Sequence, residues 1–289
     1  MAREHISQIA TKNFDLRHTV ESANPLTFFG DYDHKNDALT YPVGRTLVKV
    51  KSVGDCKKGK LLISGSDPRI KEEVIARLRL KDDMEKIYEA IATDSFMEHA
   101  IERYRGMHVT HNDPWETTVC FIISQYNNVK RTRKITRSIV DRFGLEMING
   151  GKVTEKSFPT ADDLAETTIK EFMECGAGFR AKYLKEAVEY CSSSIDLHKI
   201  GNLDYASLKE ELMEIKGVGD KVADCIALMG YGKLEAFPID VWVKRTMERV
   251  YFKGKTMKIK DLHNFAGERF GEYCGYAQQY LFWHGRNVA

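Results

Sequence analysis

Two residues of this chain have the types and setting for covalent chemistry: Lys221, just past a glycine bend, and Asp240, which follows Phe237-Pro238-Ile239. Leu208, Leu212 and Ile215 recur at helical spacing until Lys216-Gly217-Val218-Gly219 breaks the pattern. This reads as helix, tight hairpin, helix. Asp220 is expected to cap the second helix, whose apolar stripe is Val222, Cys225, Ile226 and Met229. Lys221 then falls in the first turn, where unpaired amides carry partial positive charge and disfavour an ammonium. That field, with burial beneath a substrate, favours the neutral amine, a nucleophile. A lysine that only meets a phosphate fits the same residues. Asp240 precedes VWVKRTMERVYF, so it reads as that helix's N-cap, and only its combination with the hairpin and Lys221 points beyond capping.

The elements that must position these groups form two parts. Residues 13–65 are strand-like in FDLRHTV, GRTLVKVKS and KLLIS, with GDYDHKND and GDCKKGK as connectors. Helical patterns follow in KEEVIARLRL, DDMEKIYEAIA and SFMEHAIERYRG. Asp113-Pro114 opens a buried helix through TTVCFIIS, and ADDLAETTIKEFMEC reads as a further helical section. The expected fold is α+β: a small N-terminal antiparallel sheet domain with following helices over 1–105, then a mostly helical domain over 106–289. Lys130, Arg131, Arg133, Lys134, Arg137 and Arg142 face only Asp141 in sequence. Such a run is a solvated helix face or a phosphate-binding patch.

KGVGDKVADC with AFPIDVWVKR resembles the helix-hairpin-helix DNA glycosylases, and more narrowly their 8-oxoguanine branch. The resemblance implies that Lys221 attacks C1′ of a damaged nucleotide, forming a Schiff base that proceeds to β-elimination, with Asp240 as its partner. It makes Gly217 and Gly219 the hairpin that meets a phosphate, and implies a structural monovalent cation on the hairpin carbonyls. It places Cys225 and Phe282 on either side of the extruded base and Gln278 on its edge. Asn127 and Asn128 fall in the loop that fills the vacated stack, Arg131 and Arg180 become readers of the opposite cytosine, and Phe179 becomes the wedge. Two positions depart from the family pattern. Ala23 stands where a glycine offers its carbonyl to the oxidised base, and Tyr126 stands where an asparagine leads the gap-filling loop.

Composition sets bounds on the rest. The chain has 289 residues, 43% hydrophobic and 30% charged, with a net charge of +2, so DNA contact has to come from local patches. Six dispersed cysteines read as reduced thiols, and their spacing implies neither a metal site nor an iron–sulfur cluster. The N-terminus lacks an apolar signal region, and apolar runs are too short to span a membrane. A monomer acting on double-stranded DNA in the cytoplasm, nucleoid or nucleus is expected. The competing functions are the same chemistry on another damaged or mispaired base, or a DNA-binding module without chemistry.

Overall fold

The computed structural model describes residues 5–67, 69–149 and 152–288. The elements run β1 (His5–Thr11), α1 (Leu16–Glu21), α2 (Pro25–Phe29), β2 (Asp31–Asp33), β3 (Ala38–Val43), β4 (Thr46–Gly54), β5 (Gly59–Gly65), α3 (Ile70–Arg77), α4 (Met84–Ile91) and α5 (Ser95–Arg103). Next come α6 (Pro114–Ser124), α7 (Val129–Phe143), β6 (Glu146–Asn149), β7 (Lys152–Lys156), α8 (Ile169–Glu174) and α9 (Arg180–Ser193). The chain ends with α10 (Tyr205–Met213), α11 (Asp220–Tyr231), α12 (Val241–Tyr251), α13 (Ile259–Phe270) and α14 (Cys274–Asn287).

Strands β1 to β5 make an antiparallel sheet in the order β1-β5-β4-β3-β2. Alternation along β4 sets its faces: Val48 and Val50 are buried, Lys49 and Lys51 exposed. Val50 pairs with Ile63 on one side and Leu39 on the other, so three inward side chains stack across the sheet. The expected α+β architecture is therefore the observed one.

Three local expectations are corrected. FDLRHTV was expected as a strand, but most of it forms α1, because the Asp15 carboxylate accepts from the His18 amide at 2.7 Å and starts a helix. The fifth strand is β1 instead, at the very start of the described chain. The helical section expected from ADDLAE onward begins only at Ile169, where Thr168 and Glu171 form a reciprocal capping box. The β6/β7 hairpin lies in a stretch where no element was expected.

Buried apolar side chains from Leu39 and Ile63 in the sheet to Leu281 in α14 form one continuous cluster, which crosses the expected boundary at 105/106. The last helix does much of the joining. Tyr280 donates to the carbonyls of Tyr104 and Met107 at 3.1 Å, and Tyr276 donates to Asp82 at 2.7 Å. A buried ion pair, Arg77 to Glu116 at 2.8 Å, locks α3 to α6. Burial beside other carboxylates pushes Glu116 up to about 7 although Arg77 opposes this.

Candidate active site and DNA-facing loops

The hairpin forms as expected. Gly217 has φ +86°, a conformation that favours glycine, and an added Cβ there would lie 2.6 Å from the Tyr183 ring. The helix start differs by one residue. Gly219 occupies the cap position and Asp220 is the first helical residue, so its carboxylate lies in the first turn instead of closing the end. Lys221 follows it, half-buried.

The acids nearest to it along the helix are engaged elsewhere. Lys209 of α10 bonds Asp220 at 2.8 Å and Asp224 at 2.7 Å. Burial opposes the charge on Lys209, yet those two carboxylates hold its pKa above the ordinary value. With both acids of the helix engaged, no carboxylate among the described residues comes within ion-pair distance of Lys221. Its ammonium lies 5.4 Å over the Phe121 ring and reaches the Cys225 thiol, one helical turn on. Cys225 is buried, which pushes its thiol up to about 11 against the pull of Lys221, and Asp240 adds to the rise. Lys221, Cys225 and Asp240 thus share one electrostatic neighbourhood.

Asp240 caps α12, accepting from the Val243 amide at 2.8 Å through Oδ1. No described group bonds Oδ2, so capping and an open carboxylate oxygen coexist in one side chain.

One face of α14 is turned to α11 and α12. Gly275, Gln278, Phe282 and Gly285 are spaced by three, four and three residues, which puts them on one helical face. Gly275 abuts the Leu228 side chain of α11, with the Leu234 carbonyl 3.1 Å from where its Cβ would be. Gly285 abuts Thr246 of α12. Held at both ends, the stripe turns Gln278 and Phe282 toward the helices that carry Cys225 and Asp240. Gln278 is 6% exposed and its Oε1 has no hydrogen-bond partner, a costly state for a buried amide. Phe282 is half-buried beside Trp283 and Arg286.

Ala23 takes φ +62°, the left-handed region that costs an alanine what it spares a glycine. No described group donates to its carbonyl. The turn bearing it is held to α14 by Gln279, whose side chain donates to the Ser22 carbonyl.

The remaining predicted residues lie on two loops. Asn127 bonds the Ile123 carbonyl at 3.2 Å, and Asn128 caps α7 by accepting from the Arg131 amide at 2.9 Å. Arg131 is exposed. Phe179 sits at the start of α9 and is 56% exposed, outside the core. Arg180, by resemblance a reader of the opposite cytosine, is 4% exposed and bonded to backbone carbonyls on the adjoining loop, which its planar donors match. The basic run also divides. Arg133, Arg137 and Arg142 pair with Asp31, Glu155 and the Glu171/Glu174 pair, leaving Lys130, Arg131 and Lys134 without ion pairs among the described residues.

Sequence reasoning missed Phe121, Phe28 and Lys209. Phe121 lies beneath Lys221 and meets Phe28 edge-on at 6.3 Å, which carries the N-terminal part to the amine. Phe121 looked like any core residue of a buried helix, and Lys209 like a solvated one. A cleft of about 1110 Å³ lies between Arg77, Glu116 and residues 192–200. None of Lys221, Cys225, Asp240, Gln278 or Phe282 lines it, so volume alone points away from the chemistry.

The family model described as HhH-GPD superfamily base excision DNA repair protein matches residues 119–269, from the Phe121 helix to α13. The chain belongs to this superfamily. A probable N-glycosylase/DNA lyase of Methanothermobacter thermautotrophicus is 30% identical over 237 residues, 75% of each chain. The N-glycosylase/DNA lyase of Saccharomyces cerevisiae is 27% identical over 270 residues, 82% of this chain and 70% of that one. Among solved structures, the Clostridium acetobutylicum 8-oxoguanine glycosylase/lyase in complex with DNA superposes with a TM-score of 0.88 at 30% identity, covering 100% of this chain and 98% of that one. This HhH-GPD member is thus a bifunctional DNA glycosylase/lyase. A 3-methyladenine DNA glycosylase of Archaeoglobus fulgidus, 21% identical with a TM-score of 0.81, shares the fold, so the fold by itself does not name the base.

Proposed function

We propose that this protein removes 8-oxoguanine, or a closely related oxidised purine, from double-stranded DNA through a Schiff base on Lys221. The observation that carries the proposal is an amine without a carboxylate partner among the described residues, in one electrostatic neighbourhood with Cys225 and Asp240, while the buried Gln278 of α14 keeps an unsatisfied Oε1. A flipped purine between Cys225 and Phe282 would supply the donor that Gln278 lacks.

In the proposed sequence, the neutral Lys221 amine adds to C1′ as the bond to the base breaks, and the base leaves with that electron pair and takes up a proton. The free oxygen of Asp240 stabilises positive charge on the sugar. Ring opening gives an iminium between Nζ and C1′. Loss of a C2′ proton then expels the 3′ phosphate by β-elimination, and water releases the lysine. The 8-oxoguanine complex of the Clostridium protein supports this substrate class, and Ala23 offers a free carbonyl to a base N–H. A monovalent cation at the hairpin would share the Gly217 carbonyl with Gln125 Nε2, which bonds it at 2.9 Å, and no step depends on it.

Ala23 in place of glycine favours a second reading, the same chemistry on another lesion. Borohydride trapping on duplexes carrying a lesion panel separates the two. A covalent adduct formed preferentially with 8-oxoguanine supports the proposal, and preferential trapping on another base selects the alternative. Binding without any adduct would mean no Schiff-base chemistry at all.

A further inference from the structure

Three loops that meet at the DNA-facing edge are joined in a closed circuit, and Arg180 is the residue common to two of them. Its Nε bonds the Gln125 carbonyl at 2.7 Å, Nη2 bonds the Tyr126 carbonyl at 3.0 Å, and Nη1 lies 3.3 Å from the Ala177 carbonyl. The same guanidinium sits 4.4 Å from the centre of the Phe179 ring. Gln125 continues the circuit to the Gly217 carbonyl of the hairpin at 2.9 Å. Tyr183 closes it, its ring against Gly217 and 6.2 Å from Phe179.

Two aromatic rings stand outside this frame. Tyr126 is 94% exposed and Phe179 56%, and they meet edge-to-face with centroids 6.3 Å apart. Tyr126 has φ +48°, a conformation unfavourable for a tyrosine that persists only where neighbours hold it. Arg180 supplies that hold by bonding the carbonyls of Gln125 and Tyr126. We propose that Arg180 is a positioning residue that joins Tyr126 and Phe179 into one preformed two-ring wedge and couples that wedge to the hairpin preceding Lys221. The inference rests on the glycosylase reading above and adds the device that opens the stack. Unstacking a base step is unfavourable, and a wedge already ordered loses less entropy on insertion than two free loops. With its donors committed, Arg180 leaves contact with the opposite base to exposed Arg131.

The test uses Arg180→Gln, Tyr126→Ala, Phe179→Ala and the Tyr126→Ala/Phe179→Ala double variant on lesion duplexes with each of four opposite bases. Single-turnover excision and the fluorescence of a 2-aminopurine beside the lesion are both followed. Arg180→Gln is expected to slow excision by about tenfold or more for every opposite base, to weaken the 2-aminopurine signal, and to leave β-elimination at a ready-made abasic site far less affected. The double variant should be no slower than the worse single one, because the rings act as one body. A loss confined to cytosine opposite the lesion would make Arg180 a base reader and overturn the proposal, as would multiplicative losses from the two rings. If Arg180→Gln does not fold, Arg180→Lys keeps the charge and gives up the fork, and the same uniform loss is expected. Should the wild-type protein trap no lesion, the glycosylase reading fails by itself, while the 2-aminopurine response of the variants still decides the wedge.

Discussion

At the scale of single residues, the site depends on side chains that do two things at once. Asp240 caps α12 with one oxygen and leaves the other open. Asparagine caps as well as aspartate but carries no charge, so Asp240→Asn should keep its melting temperature and slow excision, whereas Asp240→Ala should also lose about 0.5–2 kcal/mol of stability. Normal turnover by Asp240→Asn, read in a single-turnover assay, would remove the carboxylate from the chemistry. Lys221→Gln should bind lesion DNA in a gel-shift assay and form no borohydride adduct. For Cys225, pushed up to about 11 by burial, about one thiol in a thousand is ionised at pH 8, so labelling with iodoacetamide should be slow in the folded protein and rise steeply with pH. Fast labelling at pH 8 would mean that the pocket is open to water. Ala23 sits at φ +62°, so Ala23→Gly should raise stability by a few tenths to about 1 kcal/mol in a denaturant titration, with the carbonyl retained.

At the scale of elements, α14 is held against α11 and α12 by glycines on the same helical face as Gln278 and Phe282. Gly275→Ala would place a methyl near the Leu228 side chain and the Leu234 carbonyl, and backbone cannot step aside as a flexible side chain can. A loss of about 1–3 kcal/mol is expected, with lesion preference weakened as the stripe moves outward. Unchanged stability and preference would show that α14 has slack. The α3–α6 joint makes a sharper case: Glu116→Ala strands the buried Arg77 guanidinium and should cost about 3–5 kcal/mol by chemical denaturation.

At the scale of the whole molecule, a net charge of +2 provides little general attraction for DNA, and ion pairs silence half of the basic run on α7. The cations of the run left without ion pairs among the described residues are Lys130, Arg131 and Lys134, the patch proposed to meet phosphates. Replacing Lys134 with alanine should reduce the slope of log affinity against log salt by about 0.9 if its ammonium meets a phosphate, and an unchanged slope would move the patch elsewhere. The single core that runs from the sheet to α14 also brings the N-terminal part to the site, through Phe28 against the Phe121 ring beneath Lys221.

Much of this was legible in the sequence because its signals are local. Two glycines around one residue make a hairpin, Asp113-Pro114 starts a helix, and alternation marks β4 and β5, all through backbone sterics and capping that act within a few residues. FDLRHTV misled because alternation over so short a run cannot outweigh a cap, and the side chain of Asp15 decided it. Tertiary structure alone determined that Lys209 draws Asp220 and Asp224 away from Lys221, that Phe121 lies beneath the amine, and that Arg180 turns inward to two carbonyls. Each of these depends on which distant groups come within a few ångströms, and the strength of charge and hydrogen-bond interactions follows that distance, not separation along the chain.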